Sequence, residues 1–333
     1  MIISKTPFRM SYVGGGTDIK AFYENEPGAV ISTSISKYMY VSIHEKFDEG
    51  IRIAYSNVEE VSSVEAIKHP LVRECLKLTG IAGGLEITST ADIPGKGTGL
   101  GSSSSYTVGL LNALYEFRKY KIDRYKIASD ACDIEINKCS EPIGKQDQFA
   151  AAFGGLKMYE FMPDESVKIS DINCSDSFKN TLNESNISFY LGSTRSASKI
   201  LEYQTKISSN RDKKLILRRM ANIAREFKAA IEESNFDIVV ELMNENWALK
   251  KSMTSKISNS FIDDVYETGI SAGANAGKLL GAGAGGFVTF IAPKKSHNHI
   301  RNALIKLKEV DLKMENDGTK IIYNSNDIKA HSN

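Results

Sequence analysis

Polar and apolar residues alternate along much of the first part of the chain, as expected of half-buried β-strands. The alternation is clearest in the segment AVISTSISKYMYVSIHEKF at 29–47. The segments IISKTPFRMSYV at 2–13 and LEITSTADI at 85–93 mix β-branched, aromatic and polar residues, and each leads into glycine-rich sequence. The pattern therefore predicts a strand in each of these three segments.

Helical spacing begins after the third strand, where apolar residues recur at intervals of three and four from Tyr106 to Phe117. The further predicted elements are a helix around 124–140, a strand at 156–161, helices at 212–233 and 236–253, a glycine loop at 281–286, a strand at 287–293, a helix near 297–308 and a strand at 319–323. The stretch at 162–185 is polar and turn-rich, and we take it as the domain boundary. The predicted domains are residues 1–170 and 171–333.

The composition fits a globular protein with room for two domains, because 41% of the 333 residues are hydrophobic and 25% are charged. The 42 basic and 41 acidic residues give a net charge of +1, which argues against a dedicated nucleic-acid-binding protein. We expect no membrane span, since no apolar run approaches the ~18 residues that one needs. The start of the chain lacks the apolar core of a signal peptide, and the four cysteines form no C-x-x-C pair. A cytoplasmic protein without zinc or disulfides is predicted.

The segment PGKGTGLGSSSSYTV at 94–108 places four glycines and four serines directly before a predicted helix. One interpretation is a flexible linker. The other is a phosphate cradle, because glycines let the backbone approach a ligand, a helix N-terminus offers free N–H groups, and serine hydroxyls can bind phosphate or Mg²⁺. The segment matches neither a Walker A loop nor the dinucleotide-binding fingerprint.

A second glycine-rich segment imitates the dinucleotide fingerprint, since Gly281, Gly283 and Gly286 satisfy G-x-G-x-x-G. The predicted element after them is a strand, whereas the fingerprint requires a helix. A nicotinamide-dependent oxidoreductase is therefore not supported.

Two carboxylates are candidates for chemistry. Glu135 shares a predicted helix face with alanines and cysteines and is flanked by isoleucines, which predicts burial. Its partner is either a lysine or arginine in a buried ion pair, or a Mg²⁺ ion that also binds serine and phosphate oxygens. Asp147 lies in GKQDQFAAAFGG at 144–155. It is either a helix cap or the group that accepts a proton from a substrate hydroxyl.

Two further charged residues lie near the first glycine turn. Asp18 ends the sequence GGGTD, where the commonest use of an aspartate is to stabilise the turn. Arg9 precedes it in a predicted strand. It is either a surface residue or a cation that stabilises a transferring phosphoryl group, for which arginine is well suited.

Three blocks taken together resemble the GHMP small-molecule kinases, a family that includes galactokinase, homoserine kinase, mevalonate kinase and phosphomevalonate kinase. The blocks are TPFRMSYVGGGTD at 6–18, PGKGTGLGSSSSYTVGLLNAL at 94–114 and GKLLGAGAGGFVTF at 277–290. Their order and spacing match, so the resemblance covers essentially the whole chain. It implies a two-domain α/β (α+β) fold, with a ribosomal-protein-S5-like N-terminal domain, a ferredoxin-like C-terminal domain and an active site between them.

The resemblance also implies roles for individual residues. The ATP phosphates would be wrapped by Gly97, Gly99, Leu100, Gly101, Ser102, Ser103 and Ser104. Ser103 and Glu135 would hold Mg²⁺, Asp147 would be the catalytic carboxylate and Arg9 would steady the γ-phosphate. Many family members carry alanine where this chain has Ser104 and Ser105, so the metal ligand stays open among Ser102, Ser103 and Ser104. The loop with Gly281, Gly283 and Gly285 would close over the cleft.

Within the family, the segments VGGGTD, EPIGKQDQFAAAFGG and STRSASKIL resemble the D-glycero-D-manno-heptose 7-phosphate kinases. This implies phosphorylation of the anomeric hydroxyl, and a 1,7-bisphosphate product for nucleotide-activated heptose synthesis. The sugar would be bound by Gly15, Gly16, Thr17, Asp18, Thr194 and Arg195, and its 7-phosphate by Arg195 and Lys199. The alternatives are a 1-kinase for an unphosphorylated sugar of the fucose or galactose type, and a catalytically silent sensor of ATP and sugar.

Overall fold

Thirteen strands occur in the part of the chain that the structure, a computed structural model, describes, namely residues 1–94, 97–192 and 211–325. In chain order they are β1 (Ile2–Val13), β2 (Gly28–Glu45), β3 (Ile51–Ala54), β4 (Val58–Val61), β5 (Leu85–Ala91), β6 (Leu156–Phe161), β7 (Val167–Asp171), β8 (Asn186–Gly192), β9 (Ala276–Leu279), β10 (Gly286–Ile291), β11 (Lys308–Glu309), β12 (Met314–Glu315) and β13 (Lys320–Asn324). They form one sheet of nine strands and one of four.

The helices of the same described ranges are α1 (Lys20–Tyr23), α2 (Pro70–Thr79), α3 (Ser102–Phe117), α4 (Arg124–Cys132), α5 (Gln146–Phe153), α6 (Asp176–Ser185), α7 (Arg211–Glu232), α8 (Phe236–Met253), α9 (Ser260–Ser271) and α10 (His297–Ala303). Short 3₁₀ helices lie at Val64–Ala66 and Lys294–Ser296, and a π-helix lies at Asp133–Lys138. None of these helices is long and apolar enough to cross a membrane.

The larger sheet has the order β13-β1-β2-β5-β3-β4, with β6 and β12 also paired to β2 and β7 paired to β6. Strand β1 runs antiparallel to β2 from the pair Ile2–Ile43 to the pair Val13–Ile31. The predicted strands at 2–13, 29–47 and 85–93 are thus confirmed. The second half of β1 is buried on both faces, because α3, α5, α7 and α8 all pack against this strand.

The smaller sheet is antiparallel, with the order β11-β8-β10-β9. Helices α8 and α9 pack against β9, and α6 packs against β8 and β10. The last strands, β12 and β13, return to the larger sheet, so the end of the chain contributes to both sheets. The division into 1–170 and 171–333 remains a prediction, and the chain passes from the larger sheet to the smaller one between β7 and β8.

Two of the predicted helices differ in detail from the structure. The helix expected around 124–140 is regular only to Cys132 and continues as the π-helix. The helix expected to 308 ends at Ala303, and β11 follows. The stretch at 162–185 contains β7 and the regular helix α6, whose N-terminus is capped by the Ser175 side chain. Its polar composition reflects the exposed side of these elements, where most residues are at least partly accessible.

Candidate active site

The loop between β5 and α3 brings its backbone against the C-terminal half of the chain. Gly97, Gly99 and Gly101 have φ angles of +72°, +73° and +74°, which side-chain-bearing residues rarely adopt. A Cβ at Gly99 would lie 2.3 Å from the carbonyl oxygen of Leu280. Glycine is thus required here for both backbone conformation and close contact. We call residues 97–101 the phosphate loop.

The glycine loop at 281–286 is the other side of this contact. A Cβ at Gly281 would lie 2.4 Å from the Cα of Gly99, and one at Gly286 would lie 2.4 Å from the carbonyl oxygen of Thr98. Gly283 and Gly285 have φ angles of +124° and +156°. The two loops therefore support each other backbone to backbone, and β10 starts directly at Gly286.

The serines that follow the phosphate loop form the first turn of α3 and point in different directions. The hydroxyls of Ser102 and Thr98 lie 2.9 Å apart, and Ser105 donates to the carbonyl oxygen of Pro7 at 2.9 Å. Ser102, Ser104 and Ser105 are buried, whereas Ser103 is exposed. Of the open candidates Ser102, Ser103 and Ser104, only Ser103 combines solvent access with a hydrogen bond to Glu135.

Glu135 is fully buried on the π-helix, and hydroxyl and amide groups surround its carboxylate. Ser103 and Thr107 donate to Oε1 at 2.7 and 3.1 Å, and Ser104 donates to Oε2 at 2.6 Å. The amide of Gln148 also donates to Oε2. No lysine, arginine or histidine of the described ranges forms an ion pair with Glu135, so the buried-ion-pair alternative finds no support there. Burial raises the pKa of this carboxyl, and the donors oppose that rise.

The carboxylate of Glu135 and the hydroxyls beside it supply oxygen atoms of the kind that bind Mg²⁺, which prefers one or two carboxylates together with substrate phosphates. The residues that would hold the ion are Glu135, whose buried carboxylate has no cationic partner in the described ranges, and the exposed hydroxyl of Ser103. No group of three or more histidine, cysteine, aspartate or glutamate residues among the described positions could hold a metal ion. A divalent cation here would therefore depend on few protein ligands.

Arg9, which is buried, and Asp147, whose side chain is 24% exposed, form an ion pair beside the phosphate loop. The Nε and Nη2 atoms of Arg9 lie 2.7 and 2.6 Å from the same oxygen, Oδ1 of Asp147, and Nη1 donates to the carbonyl oxygen of Gly99 at 2.7 Å. Within the described residues Oδ2 receives no hydrogen bond, and it faces Gly101. Burial raises the pKa of Asp147, the charge of Arg9 lowers it and the nearby Asp18 raises it. The pair thus leaves one carboxylate oxygen free to accept a proton.

These positions exclude one alternative for each residue, and the catalytic roles remain predictions. Arg9 is 4% exposed and is therefore not a surface cation. Asp147 lies in the first turn of α5, and its carboxylate binds Arg9 rather than the helix terminus.

The GGGTD turn lies next to the start of α5. The backbone N–H of Gly16 donates to Oδ1 of Asp18 at 2.9 Å, and Nε2 of Gln146 donates to Oδ2 at 3.1 Å. Asp18 thus stabilises the turn and also contacts the neighbour of Asp147. The hydroxyl of Thr17 donates to the carbonyl oxygens of Gly14 and Ala29 and is fully buried, so it stabilises the turn and does not face the site.

Some predicted site residues make contacts only through their backbone, and others lie outside the described residues. The side chain of Leu100 is buried, and its carbonyl oxygen accepts from the backbone N–H of Arg9 at 3.1 Å. Gly15 offers its carbonyl oxygen to Lys250. Thr194, Arg195 and Lys199 lie outside the described residues.

Sequence reasoning missed two lysines that reach the site from the C-terminal half. Nζ of Lys250 donates to the carbonyl oxygen of Gly15 at 3.0 Å, and Nζ of Lys278 donates to those of Ser11 and Tyr12 at 2.7 and 2.8 Å. Burial lowers the pKa of Lys250 to about 8, and burial next to Lys250 and Arg9 lowers that of Lys278 to about 7. Asn246, one helical turn before Lys250 on α8, accepts a hydrogen bond from the backbone N–H of Gly14, but nothing in the sequence distinguishes Lys250 from a solvated lysine.

Comparison with known proteins shows the family of this chain. The family model described as GHMP kinases N terminal domain matches residues 64–155, and the one described as GHMP kinases C terminal matches residues 227–309. Together they cover more than half of the chain. The chain belongs to the GHMP kinase family.

Individual relatives support the same assignment. The D-glycero-alpha-D-manno-heptose 7-phosphate kinase of Campylobacter jejuni is 27% identical over 90% of this chain and 92% of its own length. The crystal structure of a putative sugar kinase from Campylobacter jejuni is 26% identical, with a TM-score of 0.77 over 96% of this chain and 97% of that one. The crystal structure of a D-glycero-D-manno-heptose 1-phosphate kinase from Bacteroides thetaiotaomicron shows the same fold, at 23% identity and a TM-score of 0.79 over 97% of this chain and all of that one.

The expected two-domain GHMP kinase fold is thereby confirmed. As a GHMP kinase, the protein is an enzyme, an ATP-dependent phosphotransferase.

Proposed function

We propose that this GHMP kinase transfers the γ-phosphoryl group of ATP to the anomeric hydroxyl of D-glycero-D-manno-heptose 7-phosphate, in a Mg²⁺-dependent reaction that yields the 1,7-bisphosphate. The observation that carries this choice of substrate is the end-to-end similarity to the heptose 7-phosphate kinase of Campylobacter jejuni, which covers 90% of this chain. The proposed product would serve the synthesis of a nucleotide-activated heptose.

The proposed transfer uses the ion pair beside the phosphate loop. The acceptor hydroxyl would lie against Oδ2 of Asp147, the oxygen that receives no hydrogen bond within the described residues. As the hydroxyl oxygen forms its bond to the γ-phosphorus, the bond from phosphorus to the leaving oxygen of ADP breaks and the proton passes to Asp147. The guanidinium of Arg9, which donates to the Gly99 carbonyl oxygen at 2.7 Å, would stabilise negative charge on the phosphoryl group.

The phosphate loop and the first turn of α3 would hold the donor. The backbone at 97–101 is in left-handed turns at its glycines, and α3 begins at Ser102, so N–H groups of the helix start can bind phosphate oxygens. Glu135 and Ser103 would hold Mg²⁺, which would supply positive charge at the ATP phosphates. Gly15, Gly16 and Asp18 would lie on the acceptor side of the site, where Asp18 contacts the residue next to Asp147.

The direct test is ATP consumption by the purified full chain, followed by a coupled assay against sugars with and without a terminal phosphate. We expect turnover with heptose 7-phosphate, loss of turnover on chelation of Mg²⁺, and a product whose new phosphate is on the anomeric carbon. Turnover only with a free hexose or deoxyhexose would retain the kinase reaction and reject the phosphorylated acceptor. ATP binding without turnover on any sugar would reject the proposal in favour of a sensor.

A further inference from the structure

Two polar side chains next to Asp18 have no role in the reaction described above. Gln146 begins α5 and directly precedes Asp147, while Lys250 lies near the end of α8. Both contact the GGGTD turn, since Gln146 donates to Asp18 and Lys250 donates to the carbonyl oxygen of Gly15. The two residues therefore lie against the same turn, on the acceptor side of the proposed site.

Lys250 presents more donors than this contact uses. Its ammonium group carries three N–H donors, and the bond to the Gly15 carbonyl oxygen at 3.0 Å uses one. In the described ranges no carboxylate lies within ion-pair distance of its Nζ. A Cβ at Gly16 would lie 3.3 Å from the same Nζ, so the amine lies directly against the turn. Lys250 is therefore a cation that is hydrogen-bonded to the turn and has N–H donors that the described residues do not use.

Gln146 presents an acceptor that this part of the chain does not use. Its Nε2 donates to Oδ2 of Asp18 at 3.1 Å, and because a carboxylate can only accept, this contact fixes which end of the amide is the oxygen. The oxygen, Oε1, is buried and has no hydrogen-bond partner among the described residues. A buried acceptor without a donor costs about 1–3 kcal/mol. A ligand that donates a hydrogen bond would remove this cost.

We propose that Lys250 and Gln146 recognise two hydroxyl groups of the acceptor sugar, Lys250 by donating to one oxygen and Gln146 by accepting from another. A polyhydroxylated acceptor fits because each hydroxyl can both donate and accept. A purely anionic group would suit Lys250 but would leave Oε1 of Gln146 without a donor and would lie near the carboxylates of Asp18 and Asp147. The inference rests on the proposed function and adds two specificity-determining residues to it.

The test uses two substitutions that keep side-chain length and remove polarity, Lys250→Met and Gln146→Met, in the full chain. The matched control is Lys251→Met, because Lys251 is the next residue on α8 but points to Asp263 and the Trp247 ring. The KM for the acceptor should rise on the order of tenfold to hundredfold for Lys250→Met and roughly threefold to tenfold for Gln146→Met, as for lost charged and neutral hydrogen bonds. The KM for ATP should change by less than about twofold in both variants, and the control should leave both constants within that range.

Monodeoxy analogues of the acceptor provide a readout that a structural role would not alter. For the wild type, removing the hydroxyl bound by Gln146 should weaken the acceptor, whereas Gln146→Met should tolerate the same deoxy analogue without further loss. Should Lys250→Met not fold, Lys250→Arg keeps a donor cation and should preserve the acceptor KM within about tenfold. An unchanged acceptor KM in both methionine variants, or equal rises in the acceptor and ATP constants, would overturn the inference while the proposed function stood. A wild-type enzyme inactive on every sugar would overturn both.

Discussion

Replacing Glu135 with glutamine should separate the proposed metal-binding role of this residue from a structural one. The substitution keeps the shape of the side chain and removes its charge. Three of the four donors around the carboxylate are hydroxyls, from Ser103, Ser104 and Thr107, which can turn to accept instead. The fourth is the amide of Gln148, whose Oε1 is buried without a partner among the described residues and could accept after a flip of the amide.

The structure predicts opposite effects on stability and activity. Burial raises the pKa of Glu135, so the charged form is disfavoured in the folded state, and this penalty grows as the pH rises from the unfolded-state pKa through the folded-state pKa. At neutral pH, Glu135→Gln removes the penalty, and we expect a free energy of unfolding within about 1 kcal/mol of wild type or higher. Loss of one charged ligand at the phosphates should lower Mg²⁺-dependent kcat/KM by about 100-fold or more, or about 2.7 kcal/mol.

The assay combines denaturant unfolding with ATP turnover at a series of Mg²⁺ concentrations. Asp130→Asn is the matched control, because Asp130 is another buried carboxylate on the preceding helix, bonded to Tyr115 and Lys126 away from the phosphate loop. It should lose stability and keep its Mg²⁺ dependence. A Glu135→Gln variant that unfolds several kcal/mol more easily, or that keeps normal Mg²⁺-dependent turnover, would refute the metal-binding role.

Three further predictions concern the same site. Asp147→Asn should lower kcat by roughly 1,000-fold while ATP binding and folding persist, because it removes the proposed proton acceptor; near-normal turnover would contradict that role. Gly281→Ala should raise the KM for ATP and destabilise the fold by about 1–3 kcal/mol, because its Cβ would lie 2.4 Å from the phosphate loop. Gly80 has a similar positive φ but lies in open space, so Gly80→Ala should destabilise the fold less and leave the KM for ATP unchanged. In a pH series of kcat/KM for the acceptor, activity should fall at low pH as Asp147, whose pKa is raised, gains a proton. Activity should also fall as the pH rises through about 8, where Lys250 loses its proton. Lys250→Arg should shift only this alkaline decrease to higher pH.

The predictions from sequence that the structure confirms rest on local patterns. The alternation at 29–47 reports one buried sheet face, and β2 lies there. The helix after the serines follows from its own periodicity. The π-helix at 133–138 could not be predicted in this way, because hydrophobic spacing does not distinguish it from an α-helix. Glu135 within it accepts side-chain hydrogen bonds from Ser103, Ser104 and Thr107, about 30 residues earlier in the chain. π-helical turns are frequent at functional sites, which agrees with the role proposed for Glu135.

The candidate site likewise contains residues that local sequence patterns reveal and residues that only the fold brings together. The phosphate loop and the start of α3 can be predicted from the sequence because their glycines and serines lie within one short segment, 97–105. Lys250 and Gln146 cannot be recognised as site residues from the sequence. A lysine on α8 is indistinguishable from a solvated charge until the fold brings it to Gly15, 235 residues away. The partner of Glu135 was likewise open between a lysine, an arginine and a metal, whereas the observed hydrogen bonds come from hydroxyls and an amide.

The Arg9–Asp147 pair links donor binding to proton removal. One guanidinium contacts both the carboxylate and the Gly99 carbonyl oxygen of the phosphate loop. A γ-phosphate in that loop would compete for the same donors. As Arg9 turns toward the phosphate, the ionised form of Asp147 would lose part of the stabilisation that the positive charge of Arg9 provides. We infer that ATP binding raises the pKa of Asp147 and so makes it a stronger base only when the donor is present. Carbon-13 NMR titration of Asp147 with and without a non-hydrolysable ATP analogue measures this directly, and a pKa that stays the same or falls on binding would disprove the coupling.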